Sequence, residues 1–99
     1  MTALPPGSTI GILGGGQLGR MLAMAAARLG LKSHIFAPEA DSPAFEVAAQ
    51  RTLASYDDHQ ALLAFARGVD IATYEFENIP VPTVEFLSKH VPVRPGAKA

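Results

Sequence analysis

Ile10-Gly11-Ile12-Leu13-Gly14-Gly15-Gly16-Gln17-Leu18-Gly19 is the stretch that decides the fold. A short apolar run breaks into glycines and resumes at once as a helix-forming segment, which is the order strand, tight turn, helix. Gly14, Gly16 and Gly19, with Gly15 between the first two, fit the spacing G-x-G-x-x-G. Glycines so placed let a buried strand turn sharply, let backbone come close to a ligand and let the helix pack against its strand. The loop therefore presents bare N–H groups at a helix N-terminus, where the dipole favours an anion or polar acceptor by about 0.3–1 kcal/mol per charge.

Working outward, a helix is expected from Gln17 to Leu29. Leu18, Leu22, Ala25 and Leu29 recur there at three- and four-residue steps, and Gly30 closes it. Lys32 to Ala37 reads as a second strand ended by Pro38, giving a strand-helix-strand unit of right-handed sense. Ser42-Pro43 caps a short turn, and Arg51 to Ala54 is a brief strand. Asp57 with Gln60 makes a capping-box-like start for a helix carrying Leu62, Leu63, Phe65 and Ala66, stopped by Gly68. Val69 to Tyr74 is the next strand. Pro80 and Pro82 open a helix to about His90 that buries Val84 and Leu87, and Val91 to Arg94 is a last short strand. The fold class is α/β: an open, doubly wound parallel sheet of four to five strands with helices on both faces. Residues 1–7, with Pro5 and Pro6, read as a disordered leader, and 8–99 as one domain.

Composition removes several classes of function. The 99 residues, 48% of them hydrophobic, suffice for one core. Eight basic and nine acidic residues lie scattered along the chain for a net charge of −1, so no electropositive stripe addresses nucleic acid. Without cysteine there are no disulfides, thiolate nucleophiles or cysteine-based metal sites, which fits a cytoplasmic setting. Met1 to Gly19 is read neither as a signal peptide nor as a membrane span: no basic n-region precedes it, and glycine and proline interrupt it short of ~20 apolar residues.

In a sheet of this kind ligands bind beyond the carboxyl ends of the strands. The glycine loop is one such place. At the end of the second strand a dinucleotide-binding domain would carry an acidic residue for a ribose hydroxyl, but the position holds Ala37. Glu39 and Asp41 come after Pro38, in a solvated loop. The third place is Tyr74-Glu75-Phe76-Glu77-Asn78, where alternation gives Glu75 and Glu77 one direction and Tyr74 and Phe76 the other. A carboxylate there accepts hydrogen bonds from a ligand's hydroxyl or amine while the loop amides hold another acceptor; the alternative for Glu77 is to cap the helix near Pro80. Arg20 either reaches a phosphate or stands as a solvated helix residue. His34, His59 and His90 have no metal-like spacing, so neither a metal ligand nor a catalytic group is assigned.

The loop GILGGGQLGRM, the segment PEADSPA from Pro38 to Ala44 and above all TYEFENIP from Thr73 to Pro80 resemble the N-terminal, pre-ATP-grasp domain of the 5-(carboxyamino)imidazole ribonucleotide synthases. The glycine loop alone is shared with other ATP-grasp enzymes, such as biotin carboxylase and the formate-dependent glycinamide ribonucleotide transformylase; the EFEN segment narrows the match. The resemblance implies a Rossmann-like domain of a cytoplasmic ligase in purine biosynthesis, which uses ATP and bicarbonate to carboxylate aminoimidazole ribonucleotide. It implies that this domain holds no NAD and supplies one wall of the ribonucleotide site, that ATP and Mg are held by the ATP-grasp domains that follow, and that the full-length enzyme is a homodimer. By the same match, Gln17 and Leu18 turn toward the ribonucleotide, Gly16 allows its approach, Glu75 binds it through ribose hydroxyls, and Glu77 and Asn78 shape the turn. Since the sequence stops at Ala99, the domain alone is expected to be inactive and to have the remaining ATP-grasp domains as its partner. Two other readings stay open: a dinucleotide-binding Rossmann module of an oxidoreductase or redox regulator, with Gly14, Gly16 and Gly19 on a pyrophosphate, and an interaction domain whose loop holds nothing.

Overall fold

The structure, a computed structural model, describes residues 5–74 and 79–95. The opening stretch forms β1 (Thr9–Leu13) and α1 (Gln17–Arg28). There follow β2 (Lys32–Ala37), a 3-10 turn (Pro43–Glu46), β3 (Gln50–Leu53), α2 (His59–Arg67), β4 (Ile71–Tyr74), α3 (Val81–Ser88) and β5 (Val93–Pro95). All five strands are parallel in one sheet of order β3-β2-β1-β4-β5. The order reverses between β1 and β4, which lie side by side with Leu13 opposite Tyr74.

Alternation along the strands divides the core in two. Ile12, Ile35 and Ala37 meet Ala23 of α1 and Ala44 and Phe45 of the 3-10 turn on one face. Leu13, Phe36 and Ala72 meet Leu62, Phe65 and Ala66 of α2 and Leu87 of α3 on the other. Burial on both sides explains why the inner strands read as nearly unbroken apolar runs. Gly11 interrupts β1 because the Phe65 ring needs its space: a Cβ there would stand 2.5 Å from Cζ. That ring meets Phe36 edge-on at 5.4 Å and His34 at 4.9 Å.

Several boundaries differ from the sequence expectation for physical reasons. Leu29 caps α1 rather than ending it, and Gly30, at φ 79°, completes a Schellman closure in which the amides of Leu31 and Gly30 donate to the carbonyls of Ala26 and Ala27. The residues of α1 seated on the sheet are Gly19, Ala23 and Ala26, small enough for close approach, whereas Ala25 and Leu29 of the expected apolar stripe are exposed. Asp58, one residue later than expected, caps α2 by accepting from the Ala61 amide at 3.1 Å, while Asp57 accepts the Ser55 hydroxyl at 2.6 Å. Ser42 stands at the N-cap position of the 3-10 turn, yet its hydroxyl donates backward to the Glu39 carbonyl at 2.7 Å. β4 begins later than expected because Asp70 is spent clamping β1: its amide donates to the Thr9 carbonyl and its carboxylate accepts the Thr9 amide, both at 2.8 Å. In α3 Thr83 is buried together with Leu87, its hydroxyl donating to the Tyr56 carbonyl at 2.9 Å. Of the expected leader, residues 1–4 lie outside the described residues, and Pro5–Gly7 form a turn whose Gly7 amide donates to the Gly30 carbonyl at 2.8 Å.

Candidate functional site

The glycine loop divides its work among its members in a way the spacing alone does not show. Gly14 takes φ 119°, a region that disfavours a side chain, and its amide donates to the Phe36 carbonyl at 2.9 Å as the chain leaves the sheet. Gly15 is the point of closest approach. A Cβ there would strike Cβ and Oγ of Ser42 and stand 2.8 Å from Cβ of Ala37, and its carbonyl accepts the Ala44 amide at 2.9 Å. Gly15 thus makes a tight contact of its own, and it is made to protein. Gly16 is the extended N-cap of α1 and offers no side chain. Among the described residues nothing accepts from the amides of Gly16, Gln17 and Leu18, and no acidic residue in the first turn of α1 offsets its positive end. Gln17 is exposed, Gly16 and Leu18 partly so, and Gly19 is buried beneath the helix.

With Leu13 opposite Tyr74, the chain leaves β4 from the rim that carries this loop. Glu75, Phe76, Glu77 and Asn78 lie outside the described residues. One polar residue near the rim, Thr73, was not singled out by sequence reasoning. Thr73, beside Ile12 on the α1 face, is 5% exposed, and among the described residues its hydroxyl has no partner; a threonine in a strand carries no signal beyond its β-propensity. Arg20, one of the sequence candidates, is partly buried with Nε enclosed and, among the described residues, unpartnered, so this atom is not that of a solvated side chain.

The end of β2 contradicts the dinucleotide reading. Ala37 and Ala44 are fully buried and Ser42 is 6% exposed; together they back directly onto Gly15, so the place of a ribose is filled by protein and holds no carboxylate. The histidines serve packing: His34 pairs its Nε2 with the Thr52 hydroxyl at 2.7 Å, and His59 stacks on Phe86 at 4.3 Å with His90 beside that ring at 5.0 Å. Burial lowers the pKa of His34 below its ordinary 6.5. Among the described residues no three His, Asp or Glu side chains gather to hold a metal ion. A shallow cavity of about 250 Å³ lined by Ala40, Phe45, Arg51 and Leu53 lies at β3, two strands from β1.

The ribonucleotide synthetase preATP-grasp domain family matches residues 7–99. The chain belongs to that family. It is 61% identical over 96% of its length to the bifunctional purine synthesis protein purC/E of Dictyostelium discoideum, covering 10% of that protein. To the N5-carboxyaminoimidazole ribonucleotide synthase of Brucella melitensis it is 54% identical over 99% of its length, covering 27% of the relative. Among solved structures, the N5-carboxyaminoimidazole synthetase of Staphylococcus aureus complexed with ADP is 40% identical with a TM-score of 0.86, over 94% of this chain and 25% of that one. The Aspergillus clavatus N5-carboxyaminoimidazole synthase, in complex with ADP and 5-aminoimidazole ribonucleotide, is 31% identical with a TM-score of 0.75, over 90% and 24%. The chain thus spans about a quarter or less of these relatives, and a five-stranded, all-parallel preATP-grasp domain is what they share with it.

Proposed function

We propose that this preATP-grasp domain is the substrate-binding N-terminal part of an ATP-dependent carbon–nitrogen ligase that carboxylates aminoimidazole ribonucleotide with bicarbonate in purine biosynthesis. The observation that carries this reading is the set of unclaimed amides at Gly16, Gln17 and Leu18, on the rim where β1 and β4 stand side by side at the reversal of strand order. Those amides hold an oxygen of the ribonucleotide, Gly16 leaves room for it, and Glu75, next in sequence after Tyr74, accepts from its ribose hydroxyls. Glu77 and Asn78 shape the turn. The relative solved with ADP and the ribonucleotide supports the choice of substrate. ATP and Mg²⁺ belong to the ATP-grasp domains of the full-length enzyme, a cytoplasmic homodimer; when bound they activate bicarbonate. This domain contributes binding and orientation of the amine-bearing substrate, and alone it carboxylates nothing.

Titration of the isotope-labelled chain with aminoimidazole ribonucleotide tests the reading. The amides of Gly16, Gln17 and Leu18 should shift with a Kd on the order of 1 mM, as suits a half-site. In a full-length enzyme carrying this domain, Glu75→Gln should raise KM for the ribonucleotide at least ~10-fold, about 1.4 kcal/mol, with KM for ATP nearly unchanged. Equal loss toward both substrates makes Glu75 a structural residue and refutes its assigned role.

A further inference from the structure

One flank of α1 and the sheet face beside it lack cover. α1 rests on β1, β2 and the 3-10 turn through Gly19, Ala23 and Ala26. At about 100° per residue, Leu18, Leu22, Ala25 and Leu29 lie roughly 60–120° round the helix from that line on one side, and Arg20 and Met24 on the other. α1 runs against the strands in a right-handed crossover from β1 to β2, which turns the leucine flank toward β4 and the Met24 flank toward the 3-10 turn. α2 and α3 both pack on the opposite face, with Leu62, Phe65 and Leu87 in its core. Among the described residues no helix is centred over β4 and β5 on the α1 side; Thr73 there is nonetheless buried, and what stays open is the stretch around Ile71. Ile10 and Ile71, adjacent in register, stay partly exposed there, and Leu29 is 72% exposed. Parallel sheets are stable when both faces are covered, so the face is unfinished at this end, around Ile10, Ile71 and Leu29.

We propose that the leucine flank of α1 and the α1-side face of β4 and β5 form the seat of the polypeptide that follows this domain in the full-length ligases. The occupant is argued from continuity: the chain matches the N-terminal part of relatives that are about four times longer, and β5, the last strand, borders the bare face. The α1 flank carries leucine and alanine and no charge, while Arg94 of β5, beside Thr73 in register, brings one positive charge to the edge of the seat, so the seat selects an apolar partner surface with an acceptor at its β5 edge. The inference rests on membership of the longer ligase family and not on which ribonucleotide is bound.

The absence of cysteine permits a direct test. Leu29→Cys and Met24→Cys are each alkylated with iodoacetamide, and the rate at that site is read by mass spectrometry. This is done in the 99-residue chain and in the Brucella melitensis relative with this chain in place of its matching stretch. Leu29→Cys should label at least ~10-fold more slowly in the full-length protein, while Met24→Cys, on the other flank at 38% exposure, changes little. Equal rates at Leu29→Cys in the two proteins overturn the proposal. So does protection that already rises with concentration in the 99-residue chain, which makes a second copy the occupant. Should the hybrid not fold, the same cysteines at the aligned positions of the unaltered relative give the same reading. Ribonucleotide binding does not enter the measurement, so failure here leaves the substrate assignment standing.

Discussion

At Gly15 a single hydrogen stands where any other residue would drive a Cβ into Ser42 and Ala37. Gly15→Ala should therefore destabilise the domain by about 1–3 kcal/mol through overpacking, lowering Tm by roughly 4–8 °C per kcal/mol for a domain of this size. Two of the three clashing atoms belong to Ser42, so Ser42→Gly in the same protein should recover part of the loss; thermal denaturation of the single and double variants measures both. His34 offers a second residue-scale test. Burial lowers its pKa in the folded state, so the unfolded chain binds the extra proton first as pH falls. Its contribution is whole above pH 6.5 and is lost as pH falls from there through the folded pKa. Stability measured by urea denaturation between about pH 7 and pH 5 should fall more steeply for the natural chain than for His34→Gln. Parallel pH profiles would show that the ring is not desolvated in solution.

Elements announce themselves in sequence where their cause is local, and they mislead where it is not. Gly30 closing α1 and Pro38 ending β2 are backbone effects of one residue, and both fall where the residues say. The N-cap of α2 is also local but degenerate, since Asp57 and Asp58 both suit it. Ser55 decides between them by taking Asp57 into its own hydrogen bond. Asp58→Ala should cost about 1 kcal/mol and Asp57→Ala clearly less, as read from denaturant midpoints; the reverse ranking would restore the earlier cap. The face of α1 was not legible, because leucine at helical spacing marks an apolar flank without saying which neighbour receives it. Gly19, Ala23 and Ala26 go down on the sheet because close packing of helix on strand rewards small residues, leaving the leucine flank half clothed. The same distinction holds at the site. The turn and its amides, free among the described residues, follow from Gly14 and Gly16, but Gly15's contact with Ser42 and the burial of Thr73 arise from segments distant in sequence.

For the molecule as a whole, the strand order makes a nucleotide-type crevice between β1 and β4, and the packing behind the loop decides what kind of ligand can use it. A dinucleotide would lay its adenosine ribose against the end of β2, where Ala37, Ser42 and Ala44 already fill the space and Gly15 is hydrogen-bonded to Ala44. Opening that place would expose buried apolar surface and break the Gly15–Ala44 bond with nothing on hand to replace it. NAD(H) should accordingly show no saturable binding at concentrations where aminoimidazole ribonucleotide shifts the loop amides. Supplying the missing acid should not rescue it: Ala37 is fully buried, so Ala37→Asp would place an unpaired carboxylate in the apolar core at a cost of several kcal/mol. The expected outcome for that variant is a large fall in Tm, or failure to fold, with no gain in NAD(H) affinity. A well-folded Ala37→Asp domain that binds NAD(H) in the micromolar range would mean that the 3-10 turn swings clear in solution, and the ribonucleotide reading would lose the steric argument that separates it from the dinucleotide one.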